Sequence, residues 1–113
     1  MLPIPYRLPT PDVKQVMRSG RRLASPELVL IYQKNTTDAS RFALIVPKSV
    51  DKRAVGRNRT KRLVREALRK LLPAIAQAID GVIIARRKVE SLEEALSSIN
   101  GLVSRIRDLS PNT

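Results

Sequence analysis

The chain has no cysteine and no histidine in its 113 residues. No disulfide can form, and the usual zinc sites are excluded. A Ser-His-Asp or Cys-His nucleophile system is excluded as well. Aromatic residues are scarce: Tyr6, Tyr32 and Phe42 only. Acidic residues are also few, 10 against 22 lysines and arginines, for a formal charge of +12. No apolar run approaches the roughly 18 residues needed to span a bilayer. The opening MLPIPYRLPTPD lacks a long apolar core and does not read as a signal peptide. A soluble, cytoplasmic protein is the expectation, and the missing cysteines fit a reducing compartment.

A charge this large and positive calls for a polyanionic partner. The basic segment has none of the Trp or Phe that anchors helices to membrane surfaces. At 113 residues one domain is expected, with a modest core and an ordinary 42% hydrophobic content.

Residues 1–11 hold Pro3, Pro5, Pro9 and Pro11 and read as an extended lead-in. Thr10 or Asp12 is then a candidate cap for a helix from about Pro11 to Ser19, stopped by Gly20. Its apolar face is Val13, Val16 and Met17. Arg21 to Ala24 reads as a short strand, broken at Ser25-Pro26. Residues 27–34 and 41–47 read as strands around a turn at Asn35 to Ser40, which suggests an antiparallel hairpin. Phe42, Leu44 and Val46 share one face of the second. A basic loop covers 48–56, and the strongest helix covers 57–72, with Pro73 just past it. Ala74 to Ile79 is a candidate extension after a kink. Residues 81–87 read as a buried strand. Ser91 and Glu94 form a capping box for a helix to about Leu109. The order is α-β-β-β-α-β-α.

The segment Gly56 to Lys70 concentrates seven arginines and lysines against one acid, Glu66. At 100° per residue, Val64, Ala67, Leu68 and Leu71 fall on one side, with Leu63 and Leu72 at its margins. Asn58, Lys61, Arg62, Arg65 and Arg69 fall on the other, a stripe of roughly 16 Å at 1.5 Å per residue. Solvated charge on a helix normally mixes signs in i,i+4 pairs. Here a single acid leaves the stripe without such pairing, so a polyphosphate is the expected ligand, met by arginine's planar fork.

The run Lys52-Arg53-Ala54-Val55-Gly56-Arg57-Asn58-Arg59-Thr60-Lys61-Arg62-Leu63-Val64-Arg65-Glu66-Ala67 resembles the signature of the bacterial ribonuclease P protein component. The "RNR" motif of that family stands here as Arg57-Asn58-Arg59, followed by Lys61, Arg62, Arg65, Glu66 and Ala67. Leu2-Pro3, Arg7-Leu8, Asp12, Val16 and Gly20, Arg41 to Lys48 and Gly81 to Arg87 are similar to other parts of the family pattern. The resemblance implies an α+β fold: a single-domain α-β-β-β-α-β-α sandwich whose four-stranded sheet has a left-handed β-α-β crossover. This is similar to the ribosomal protein S5 domain 2-like fold.

The resemblance also implies a function. The family's protein is the small subunit of a ribonucleoprotein that removes the 5′ leader of precursor tRNA. The ribonuclease P RNA carries the catalysis, with Mg2+ held mainly by that RNA. Implied RNA contacts are Arg57, Asn58, Arg59, Lys61, Arg62 and Arg65, extended by Arg69 and Lys70. Lys48, Lys52 and Arg53 in the preceding loop, and Arg86 and Arg87 at a strand end, are further candidates. Arg59 also has Glu66 as a possible partner. Val13, Met17, Tyr32 and Phe42 are the candidates for a cleft that holds the leader, with core packing as the default role for all four. Where the family often has phenylalanines in the first helix, this chain has Val13 and Met17. Base stacking, worth about 1–3 kcal/mol per base, would contribute less to leader binding. Where the family often has two lysines after the third strand, this chain has Lys48-Ser49. Asp51, Glu66 and Asp80 are isolated in sequence, so no catalytic residue or protein-held metal is expected, and the protein alone is expected to be monomeric. The competing reading is a ribosomal or general RNA-binding protein with no enzymatic role. A DNA-binding regulator finds no helix-turn-helix to support it.

Overall fold

The computed structural model describes residues 7–35, 40–74 and 78–108. The elements are α1 (Thr10–Ser19), β1 (Arg21–Ala24), β2 (Leu28–Lys34), β3 (Arg41–Ile45), α2 (Ala54–Leu71), β4 (Ile79–Ala85) and α3 (Leu92–Asp108). Their order and types match the expectation. A 3-10 turn over Leu72–Ala74 follows α2, and Ile79 already belongs to β4. The lead-in before Arg7, most of the turn after Asn35, and Leu109 fall outside the described residues.

The sheet order is β1-β2-β4-β3. β1 and β2 pair antiparallel, β2 and β4 antiparallel, and β3 and β4 parallel. The expected hairpin between 27–34 and 41–47 is therefore wrong: β4 lies between the two strands. Burial gives the reason. β4 is apolar on both faces, with Val82 in one core and Ile83 in the other. Such a strand belongs inside a sheet. β2 is buried from Leu28 to Tyr32 and pairs with β4 over seven residues. β3, with Arg41 and several half-buried positions, takes the edge. The parallel strands β3 and β4 are joined through α2, which forms a crossover unit.

Helices cover both faces. α2 and α3 pack on each other and enclose the larger core with Leu30, Phe42 and Ile83 from the sheet, Val64 and Leu68 from α2, and Ile99 and Leu102 from α3. α2 thus meets α3 and the β3 flank; it does not lie flat across the sheet as its periodicity alone suggests. α1 lies on the opposite face over β2 and β4. Val16 is fully buried there against Val29, Ile31, Val82 and Leu8. Burying such a side chain contributes about 1.5–3 kcal/mol.

Helix ends depart in detail. Pro9 is the N-cap of α1, and neither Thr10 nor Asp12 caps it through a side chain. Asp12 instead stands 3.4 Å from Arg41. At α3 the Glu94 N–H donates to Ser91 Oγ at 3.1 Å, as a capping box requires. The Glu94 carboxylate reaches one residue further back, accepting from the Glu90 N–H at 3.2 Å.

Candidate nucleic-acid interface

The basic helix begins at Ala54, three residues earlier than its sequence pattern suggests. Asp51 explains the difference. Its Oδ1 accepts from the Arg53 N–H at 3.0 Å, the residue that caps α2. A Cβ at Gly56 would run into this carboxylate, so glycine is required by close approach and is absorbed into the helix. Arg57 completes the junction, donating from Nη1 to the Asp51 and Lys52 carbonyls at 3.1 and 2.9 Å. Arg57 is half-buried and acts as a clamp between loop and helix. The backbone hydrogen bond from Arg53 holds the Asp51 carboxyl below the usual aspartate range, with the Arg53 side chain and Lys88 adding to the effect. Lys88, 3.7 Å from Asp51 Oδ2, was not singled out from the sequence. It ends the run Arg86-Arg87-Lys88, the one signal that points to it.

α2 has no acid in its first turn, and its last turn holds Arg69 and Lys70. Cations at a helix N-terminus oppose the macrodipole by about 0.3–1 kcal/mol each. Asp51 offsets part of that cost. Val64, Ala67 and Leu68 are buried as their spacing predicts, joined by Thr60, whose Oγ1 accepts from the Val89 N–H at 3.4 Å. Thr60 thus links α2 to the β4–α3 connection, a role the apolar pattern did not reveal.

The candidate contact residues fall into two groups. Arg59 donates to the Glu90 carbonyl at 3.3 Å, not to Glu66. Glu66 pairs with Arg69 at 2.8 Å, and that hydrogen bond lowers the Glu66 pKa below its ordinary value. Arg86 donates to the Ser25 carbonyl at 3.1 Å, and Arg87 to Glu27 at 2.9 Å. By contrast, among the described residues no hydrogen bond or ion pair reaches the side chains of Asn58, Lys61, Arg62, Arg65 or Lys70. Lys48, Lys52 and Arg53 are exposed just before α2.

The four leader-cleft candidates are not brought together. Val13 is half-buried and Met17 is 43% exposed on α1. Tyr32 and Phe42 lie in the core on the far side of the sheet, 7% and 3% exposed. Side chains alternate across a strand, so Phe42 faces α2 and α3 while Ala43 and Ile45 face the α1 side. Phe42 packs over Gly81, where a Cβ would approach its ring to 2.8 Å. The half-buried apolar strip on the α1 side is Val13, Ala43, Ile45 and Ile84.

A second ion network braces that side. Arg41 donates to both oxygens of Asp80, at 2.9 and 2.8 Å, and Asn35 donates to Asp80 Oδ1 at 2.8 Å. The Asp80 bond raises the Arg41 pKa above its ordinary value. Asp12, Arg41 and Asp80 tie α1 to the starts of β3 and β4.

The Ribonuclease P family model matches residues 5–107. This chain belongs to the ribonuclease P protein family. The ribonuclease P protein component of Photobacterium profundum is 37% identical over 107 residues, covering 92% of this chain and 90% of that one. That of Aliivibrio fischeri is 39% identical over 87 residues, covering 76% and 74%. Among solved structures, the RNase P protein of Thermotoga maritima aligns with a TM-score of 0.78 at 28% identity, over 88% of this chain and 96% of that one. The Staphylococcus aureus RNase P protein aligns with a TM-score of 0.76 at 26% identity, over 94% and 98%. The arrangement of three helices on a four-stranded mixed sheet in this chain is thus similar in fold to these two RNase P proteins. Among the described residues, no helix is long and apolar enough to cross a membrane.

Proposed function

We propose that this chain is the protein subunit of a ribonuclease P ribonucleoprotein. It binds the catalytic RNA and the 5′ leader of precursor tRNA, and so promotes removal of the leader to give the mature tRNA 5′ end. The observation that carries this reading is the set Lys61, Arg62 and Arg65: cations held side by side on α2 with no hydrogen bond or ion pair among the described residues, in a chain of this family. Neutralising RNA phosphates lowers the magnesium needed to hold RNA strands together, and the effect weakens steeply with salt.

The three carboxylates singled out from the sequence are engaged by cations of the protein. Asp51 is bonded to Arg53 and faces Lys88, Asp80 is held by Arg41, and Glu66 is held by Arg69. Among the described residues, no three ligating side chains converge. In this reading Mg2+ is held mainly by the RNA, and the RNA carries the catalysis. Leader bases would rest on the α1-side strip of Val13, Ala43, Ile45 and Ile84, beside Met17, in place of a cleft built around Tyr32 and Phe42.

The test is cleavage of precursor tRNA by a bacterial ribonuclease P RNA at low magnesium, with and without the protein. A large protein-dependent gain, lost in Arg62→Ala with Arg65→Ala, is expected. RNA binding without any gain in cleavage would favour a general RNA-binding protein.

A further inference from the structure

The basic stripe of α2 is not one surface. Arg62, Arg69 and Lys70 are exposed, whereas Lys61 and Arg65 are half-buried. These two line a groove of about 200 Å³ with Arg7, Leu8, Phe42, Ala43 and Leu44. One wall is the outer edge of β3, the last strand of the sheet. The lead-in covers the start of that edge: Arg7 bridges to Phe42, and the Leu8 N–H donates to the Phe42 carbonyl at 3.0 Å. The next residue, Pro9, has no N–H and caps α1, so the pairing stops there. Backbone groups alternate along a strand. With the Phe42 carbonyl turned outward, the Leu44 N–H and C=O turn outward too, and no described strand follows beyond them. Three cations from two separate elements therefore surround a backbone donor. Among the described residues, no hydrogen bond or ion pair reaches the side chains of Arg7, Lys61 or Arg65.

We propose that this groove is a phosphate subsite for the single-stranded 5′ leader of the precursor, at the point where its backbone crosses the edge of β3. The proposal rests on the ribonuclease P reading above and adds a site outside the basic stripe's exposed face. Size favours a single strand, because a groove of about 200 Å³ admits one phosphate group and not a duplex. Lys61 and Arg65 stand one turn apart, about 6 Å along the helix, close enough to bracket one phosphate. Continuity favours the leader. Ala43 lines both this groove and the apolar strip on the α1 side, so a strand with bases on that strip can pass its backbone over the edge. An acidic peptide adding to the sheet would need a longer free edge, and β3 ends at Ile45.

Reconstituted holoenzyme with Arg7→Ala tests the idea. Arg7 is exposed and outside the core, so the fold is retained. Binding of leader-bearing precursor should weaken about tenfold, and its salt slope should fall by about 0.7. Affinity for mature tRNA, and of the protein for ribonuclease P RNA, should stay within about twofold. Arg7→Lys should recover most of the loss. In the free protein, a leader oligoribonucleotide should shift the Leu44 amide resonance. Equal losses for all three RNAs, no loss for the precursor, or a Leu44 shift produced by an acidic peptide and not by RNA would each overturn the subsite. If the wild-type protein gives no gain in cleavage, the ribonuclease P reading itself fails. If it gives the gain and Arg7→Ala behaves as wild type, only the subsite fails.

Discussion

Arginines crowd two regions of this molecule, and the two are used differently. Around the β4–α3 connection, Arg86 donates to the Ser25 carbonyl, Arg87 to Glu27, Arg105 to the Ala24 carbonyl and Arg59 to the Glu90 carbonyl. Along the middle of α2, Lys61, Arg62 and Arg65 make no side-chain hydrogen bond or ion pair among the described residues. The first set fastens the ends of strands and helices to one another. The second is held in place by Thr60, Val64, Ala67 and Leu68 beneath it and keeps its donors for a ligand. A net charge of +12 counts both sets alike. Only geometry separates cations that close the fold from cations that remain available.

Paired substitutions break the comparison most directly. Two charge-assisted contacts are worth about 1.5–3 kcal/mol each. Arg62→Ala with Arg65→Ala, one for the catalytic RNA and one for the leader, should therefore weaken binding to ribonuclease P RNA and leader-bearing precursor taken together by about a thousandfold, roughly 4 kcal/mol, at fixed salt. The melting temperature should hardly move. Arg86→Ala with Arg87→Ala should do the reverse, lowering the melting temperature by a few degrees and RNA affinity by less than about threefold. Binding titrations and thermal melts on the four proteins decide it. Similar affinity losses in both pairs would erase the distinction.

The carboxylates that face these cations sharpen the contrast. Asp80 is buried and accepts from Arg41 through both oxygens and from Asn35. Asp80→Asn leaves Arg41, a side chain only 23% exposed, with the more exposed Asp12 as its remaining counter-charge. A loss of about 3 kcal/mol is expected in urea unfolding. Asp51 is different, because its Oδ2 is buried with no hydrogen-bond donor. Its folded pKa is depressed. Its contribution is therefore complete above the ordinary aspartate value, about 3.9, and disappears as pH falls through the lower folded value. The wild-type urea midpoint should drop in that acid window. Asp51→Asn should flatten the drop, which unfolding curves from pH 7 to about pH 2.5 will show.

Much of this was legible beforehand, and the failures have physical causes. Helix and strand order followed from periodicity, and the motif from Arg57 to Ala67 led to the family. Strand neighbours were not legible: 27–34 and 41–47 look like a hairpin because a short link says nothing about a third strand between them. The missed clue was β4 itself, whose consecutive Val82-Ile83 serve opposite cores. Tyr32 and Phe42 were cleft candidates with core packing as their default role, and alternation puts them in the core beneath α2 and α3. Arg57 was one of six RNA-contact candidates taken together, and the fold adds that its Nη1 also holds two loop carbonyls. Arg7 drew no attention as a ligand, because only the fold brings it beside Lys61 and Arg65.

Two glycines give the finest version of the same lesson. Both lie inside helices, where glycine is disfavoured against alanine by about 0.8–1.0 kcal/mol. Gly56 supports the fastened junction: a methyl there collides with the Asp51 carboxylate, whose position sets the start of α2. Gly56→Ala should destabilise by about 1–3 kcal/mol, the cost of forcing volume into a packed site. Gly101, exposed on α3, has nothing within 4 Å of a would-be Cβ. Propensity acts there unopposed, and Gly101→Ala should stabilise by about 0.8 kcal/mol. Equilibrium urea curves resolve both signs. A stabilising Gly56→Ala would mean that Asp51 can move aside without cost, and that the Arg57 clamp does not fix the first turn of the basic helix.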